Sequence, residues 1–221
     1  MRFSRRLFTA AMVVFGCLIP NSVVQAQEVF PDGPDWVLAH IDVETTGLIA
    51  GYHEIVDIGV VYTDLDGNVL QKWHRRVRPL HPDRVEAEAA AINGFDSKIW
   101  AAEGALEPAD AVQSLLAFEK EKFAAKKILR VAYNSKFDAA FMDHLFRQSG
   151  HDFDQPNYSY FWLDIPSMAW FLGYRELSDL SGALGVEGTS DVPLEHTGLG
   201  CAEANVRIYR ALLAITKKKQ P

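Results

Sequence analysis

Between residues 36 and 78 short apolar runs alternate with compact turn signals, the pattern of strands joined as a meander. Trp36-Val37-Leu38-Ala39-His40-Ile41-Asp42 reads as a buried strand ending on an acid. Glu54 to Thr63 concentrates residues that fit a pleated sheet, with Ile55, Val56, Ile58, Val60, Val61 and Tyr62. Asp66-Gly67-Asn68 is a turn signal, and Val69 to Arg78 returns with Val69, Gln71, Trp73, Arg75 and Val77 at alternate positions. Three strands on short links predict an antiparallel meander.

Beyond Pro79 the period changes. Pro82 to Ala91 and Pro108 to Lys126 are rich in Ala, Glu, Leu and Lys, the residues of helices. Ile128 to Tyr133 predicts a short buried strand. Ser135 to Gln148 predicts a helix with Phe137, Phe141, His144 and Leu145 on one stripe, and Tyr158 to Leu163 a fifth strand ending at Asp164. Leu177, Leu180 and Leu184 share one helical face, and Ala202, Val206, Tyr209 and Leu213 share another. A meander followed by strand–helix alternation predicts a mixed α/β sheet flanked by helices. Residues 36–216 read as one domain without an internal linker.

The first 26 residues have the three parts of a secretory signal: Arg2, Arg5 and Arg6, an apolar stretch from Leu7 to Ile19, and small residues in Val24-Gln25-Ala26. The stretch is shorter than the roughly 20 residues a membrane-crossing helix needs, so no stable span is expected. Ser4-Arg5-Arg6-Leu7-Phe8 resembles the twin-arginine export pattern, and the general secretory route is the alternative. Export to a bacterial periplasm is the expectation. A lipid anchor at Cys17 fits poorly, because Phe15 is bulky for a lipoprotein box. Residues 27–35, with Pro31, Gly33 and Pro34, read as a lead-in, and 217–221 as a basic tail.

Charge narrows the partners. The 221 residues hold 22 Lys and Arg against 29 Asp and Glu, a formal charge of −7. Cleavage after Ala26 takes three arginines with it, leaving 19 basic against 29 acidic residues and a charge of −10. Coating long DNA through its phosphates would call for a basic surface. A small acidic site handling nucleotides through metal ions is compatible with this balance. Cleavage also removes Cys17 and leaves Cys201 as a single cysteine, so no intramolecular disulfide forms. Stability must come from an apolar core.

The chemistry lies in three strings. In Asp42-Val43-Glu44-Thr45-Thr46-Gly47-Leu48 the two acids sit at i and i+2 and project from one face of a strand. Carboxylates held so close raise each other's pKa unless a cation neutralises them, and hard oxygen donors suit Mg²⁺ or Mn²⁺. Asn134-Ser135-Lys136-Phe137-Asp138 follows a strand and puts Asp138 in the first turn of a helix. His196-Thr197-Gly198-Leu199-Gly200-Cys201-Ala202-Glu203 puts a histidine in a Gly-rich loop before a helix, where it can take a proton from water.

Together these strings resemble the DEDD family of 3′→5′ exonucleases, in its DnaQ-like branch with a catalytic histidine. The resemblance runs from about Trp36 to Leu213. It implies a ribonuclease H-like fold, a five-stranded mixed sheet with its carboxylates meeting at one edge of the central strands. It also implies two divalent ions, about 4 Å apart, clamping the scissile phosphate. By the resemblance Asp42 and Glu44 hold these ions, Asp138 positions the second, and His196 is the general base. By the same resemblance the backbone around Thr45 and Thr46 meets the terminal 3′-hydroxyl, Leu48 packs against the last base, and Asn134 also binds the substrate, a single-stranded 3′ end or a short oligonucleotide.

The pattern breaks at one position. The family has an Asp five residues after the histidine, and this chain has Cys201. Glu203 is about 200° away around the helix, and Glu195 precedes the histidine, so neither substitutes cleanly. Three readings stay open: a thiolate ligand that favours softer ions such as Zn²⁺, a site of reduced activity, or a module that binds 3′ ends without turnover. A phosphodiesterase acting on non-nucleotide substrates is a further alternative.

Overall fold

The computed structural model describes residues 35–175 and 196–218. Its centre is one five-stranded sheet in the order β3-β2-β1-β4-β5. The strands are β1 (Trp36–Thr45), β2 (Ile55–Thr63), β3 (Val69–Arg76), β4 (Lys127–Ala132) and β5 (Tyr158–Asp164). The first three pair antiparallel, whereas β4 joins β1 and β5 joins β4 in parallel. This is the expected meander plus parallel strands. The turn from β2 to β3 closes on Asp64, whose carboxylate accepts from Asn68 N at 2.8 Å, while Gly67 takes φ +81°.

The helices are α1 (Ala87–Asn93), α2 (Ser97–Ala102), α3 (Pro108–Phe123), α4 (Ser135–Gln148), α5 (Ile165–Phe171) and α6 (Gly198–Lys218). Side chains alternate across β1, and each parity has its own core. Val37, Ala39, Ile41 and Val43 pack with Ala111, Val112 and Leu115 of α3 and Phe141 and Leu145 of α4. Leu38 packs on the other face with Val131, Ile165 of α5, and Ile208, Tyr209 and Leu212 of α6. Each Val, Leu, Ile or Phe among them, taken out of water, contributes about 1.5–3 kcal/mol. The even positions of β1 beyond Leu38 are His40, Asp42 and Glu44, so both acids point to the α6 face.

Two glycines let α6 sit there. A β-carbon at Gly59, opposite Asp42 in the β1–β2 ladder, would overlap the Gly198 carbonyl carbon. A β-carbon at Gly198 would lie 2.5 Å from Gly59 N and 2.8 Å from the Asp42 carbonyl oxygen. Backbone therefore meets backbone directly above the acid-bearing end of β1.

Some expectations change. The helix expected over Pro82 to Ala91 is broken into a 3-10 turn at Pro82–Arg84 and the separate α1. Val85 and Glu86 are extended between them, and Glu86 N donates to the Thr46 carbonyl at 2.9 Å. A tertiary bond thus overrides local helix propensity. Helices α2 and α5 were not expected. They are six and seven residues long, capped by Asp96 and Asp164. Lys217 and Lys218 end α6 instead of forming a tail, and Lys217 Nζ reaches Asp66 Oδ1 at 2.7 Å. The signal segment, most of the lead-in, the Leu177–Leu184 face and Glu195 lie outside the described residues. Among the described residues no helix is long and apolar enough to cross a membrane.

Candidate active site

Asp42 and Glu44 leave β1 on the face covered by α6, opposite Gly59 and Asp57 of β2. Asp138, in the first turn of α4 and 3% exposed, accepts a hydrogen bond from Val43 N at 3.1 Å. The third acid is therefore pinned to β1 at the peptide between the other two. Burial, then Asp138, Glu44 and Asp57, hold the Asp42 carboxyl well above the usual carboxylate range. Burial and Asp57 push Glu44 up to about 8. Asp138 is also pushed up to about 8, chiefly by burial, against the backbone N–H groups that favour its charged form. Among the described residues none of the ion pairs involves these three acids. The sheet gathers like charges and supplies no cation.

The start of α6 closes the site. Thr197 organises it, its hydroxyl accepting from Gly200 N at 3.1 Å and its carbonyl from Cys201 N at 3.0 Å. One ligand atom each from Glu44, exposed His196 and half-buried Cys201 lie within 4.8 Å of one another. Burial, with Asp42, Glu44, Asp138 and Asp57 nearby, pushes the Cys201 thiol far up. The cysteine thus faces the acids. Asp42, Glu44 and Asp138 gather where β1 meets α4, and Glu44 is joined there by Cys201 of α6 and by His196 just ahead of that helix.

Sequence reasoning missed Asp57, the acid that holds this arrangement. It is 1% exposed in a strand whose other residues are all apolar except Thr63. His74 Nε2 lies 2.9 Å from each of its oxygens, Gly198 N donates to Oδ1 at 3.0 Å, and Arg76 Nε is 3.8 Å from Oδ2. With both oxygens engaged, Asp57 ties the His196 loop to the sheet and is not a spare fourth ligand. Glu203 is not one either, since it pairs with Lys72 at 2.7 Å. A lone acid inside Ile55-Val56-Asp57-Ile58-Gly59-Val60 was the available signal.

The loop after β1 is braced from inside. Thr45 and Thr46 are 7% and 1% exposed and bond internally: Thr45 Oγ1 donates to the Gly47 carbonyl at 2.7 Å, and Thr46 Oγ1 accepts from Glu54 N at 2.9 Å. Asn93 Nδ2 donates to the Thr45 carbonyl at 2.9 Å, and Thr46 N donates to the Glu54 carbonyl at 2.8 Å. These side chains brace the loop instead of facing solvent. Leu48, 77% exposed, is what the loop presents. The buried His53 ring lies under Gly47, where any β-carbon would collide, and its Nδ1 accepts from Ile49 N at 3.0 Å. Its Nε2 faces Glu86 at 3.3 Å, so that nitrogen carries the proton. Asn134 is exposed and left-handed at φ +63°, ending β4 so that α4 can start beside the acids. Asp164 accepts from Ser135 N at 2.9 Å and so fixes the same end of α4.

Comparison with known proteins agrees with the fold. The family model for exonucleases of the RNase T type matches residues 40–209. Exonuclease I from Methylocaldum szegediense superposes with TM-score 0.66 at 20% identity, over 84% of this chain and 41% of that one. The zinc-bound form of Escherichia coli exonuclease I with single-stranded DNA gives TM-score 0.67 at 17% identity, over 84% and 42%. The nuclease domain of 3′hExo, a DEDDh family member bound to rAMP, gives TM-score 0.66 at 17% identity, over 85% and 95%. The chain spans about two fifths of the exonuclease I structures, which cover only 41–42% of their own length in the match. No curated protein matches by sequence.

Proposed function

Because the chain belongs to the exonuclease family of the RNase T type, we propose that it is an exported, divalent-metal-dependent 3′→5′ exonuclease acting on single-stranded ends. The observation that carries this reading is the crowding of buried Asp138 with half-buried Asp42 and Glu44, none of them in an ion pair among the described residues, with Glu44 beside His196. Three hard oxygen donors with no basic partner among the described residues fit Mg²⁺ or Mn²⁺. Asp42, Glu44 and Asp138 would hold the ions, and bound ions would polarise the scissile phosphate and make a nucleophile of water near neutral pH.

The remaining steps belong to the chain. His196 stands at the exposed rim of the acids, where an imidazole can take the proton of the attacking water. Asp57 holds Gly198 and so limits where His196 can move. Leu48 offers an apolar surface on which a terminal base can pack, carried on a loop fixed by His53, Thr45 and Thr46. Such a site grips only a few nucleotides, in keeping with a formal charge of −7. Export rests on the arginines and apolar stretch of residues 1–26, and mature protein beginning at Gln27 would support it.

Cys201 favours a second reading, a module that binds 3′ ends without turnover, because a thiol stands where a fourth carboxylate would strengthen cation binding. Metal-dependent digestion of 3′- and 5′-end-labelled single strands, as DNA and as RNA, separates the two. Immediate release of the 3′ label as mononucleotide supports the exonuclease. Saturable binding of 3′ ends with no release supports the module, and early loss of the 5′ label contradicts both.

A further inference from the structure

Glu44, His196 and Cys201 offer one oxygen, one nitrogen and one sulfur donor within 4.8 Å of one another. Two separate parts of the fold hold them there. Glu44 ends a central strand, His196 precedes α6, and Cys201 lies in the first turn of α6. The Asp57–Gly198 bond and the Thr197 bonds fix the α6 side of the group. A zinc tetrahedron with bonds of about 2.0–2.3 Å has edges near 3.5 Å, so the three donors need to close by roughly 1 Å, within the range of side-chain rotation. Nitrogen and sulfur donors change the class of ion preferred, since thiolate and imidazole select Zn²⁺ over Mg²⁺.

We propose that Glu44, His196 and Cys201 form a second, soft-cation site that takes one Zn²⁺ and silences hydrolysis while occupied. Binding transfers the Cys201 thiol proton to solvent, and the sulfur lone pair goes to the ion. The His196 lone pair that would accept a proton from water is then engaged. Glu44 is withdrawn from the acid set at the same time. Zinc at this site is therefore an off-switch and not a cofactor. The silencing rests on the exonuclease reading, whereas the binding site itself does not.

The test uses the metal-free full-length protein and Co²⁺ as a spectroscopic probe. One Co²⁺ per chain gives a sulfur-to-cobalt charge-transfer band, and Zn²⁺ displaces it. Cys201→Ser removes the band and weakens Zn²⁺ binding about a hundredfold, and His196→Gln weakens it as well. Asp138→Asn keeps the band, because that carboxylate is not a donor. With Mg²⁺ supporting turnover, Zn²⁺ inhibits the native protein, and Cys201→Ser needs at least about ten times more Zn²⁺ for the same inhibition. A missing band, a band that survives Cys201→Ser, or a band lost in Asp138→Asn overturns the site. A band without any nuclease activity leaves the site standing and removes the exonuclease reading, while activity without the band does the reverse.

Discussion

The protein draws two groups of ionisable side chains out of solvent, one fully and one in part, and treats them differently. In the first, Glu119 of α3 is 5% exposed and accepts from Tyr62 Oη at 2.8 Å and Tyr158 Oη at 2.5 Å. Arg130 of β4, 2% exposed, lies beside it with its guanidinium 4.4 Å from the Phe153 ring, 4.7 Å from Tyr158 and 4.8 Å from Trp162. Burial raises the Glu119 carboxyl, and the two hydroxyls and Arg130 oppose that rise. The second group is Asp42, Glu44 and Asp138, where burial and like charges raise all three carboxyls and only Asp138 has backbone N–H groups opposing the rise. Desolvation of a carboxylate is answered by hydroxyls and a guanidinium in one place and by no cationic side chain among the described residues in the other. The unmet charge marks where a cation has to come from outside.

Substitutions in each group should therefore separate stability from activity. The largest effect is expected from Asp42→Ala, which should lower metal-dependent turnover by roughly a thousandfold or more and leave the metal-free protein as stable or more so. Glu119→Gln should do the opposite, costing about 1–3 kcal/mol in denaturant unfolding and leaving turnover per folded molecule within about twofold. If both variants lose activity alike, the distinction between the groups is wrong. Next, Cys201→Asp should raise the Mg²⁺- or Mn²⁺-dependent rate at least about tenfold by completing the set of hard donors. An unchanged rate and unchanged metal affinity would count against that geometry. Asp57→Asn should lower kcat by about tenfold with little change in KM, since it loosens the His196 loop without touching the substrate face.

The smallest effect is on stability as a function of pH. Carboxyls raised in the folded state bind protons more tightly there than in the unfolded chain. Their contribution is greatest at low pH and is lost as pH rises from the ordinary carboxylate range through about 8, the value for Glu44 and Asp138. The metal-free protein should thus melt at least about 5 °C lower at the top of that window than at its foot, and Mn²⁺ should flatten the difference. A Tm that rises across the window would show that the acids are not crowded.

Much of this was legible in the residues. Period-two alternation in β1 placed Asp42 and Glu44 on one face, and the strand-then-acid pattern of Asn134 to Asp138 placed the third acid in the first turn of a helix at a strand's carboxyl end. The departure at Cys201 could be named, but not that its sulfur faces Glu44 and His196. That depends on the rotation of α6, set by the contact of Gly59 with Gly198. The role of Asp57 was hidden for the same reason, since its bond to Gly198 joins residues 141 apart. Helices α2 and α5 were too short for a 3.6-residue period to register, and the break at Val85 and Glu86 is imposed by Thr46. Local pattern located the acids, and tertiary register decided what surrounds them.

Calorimetric titration of the metal-free protein with Mn²⁺ addresses the acid set directly, without a substrate. Saturable binding that disappears in Asp42→Ala and persists in Glu119→Gln is the predicted result. No binding by the native chain, or the same binding in Asp42→Ala, would contradict it.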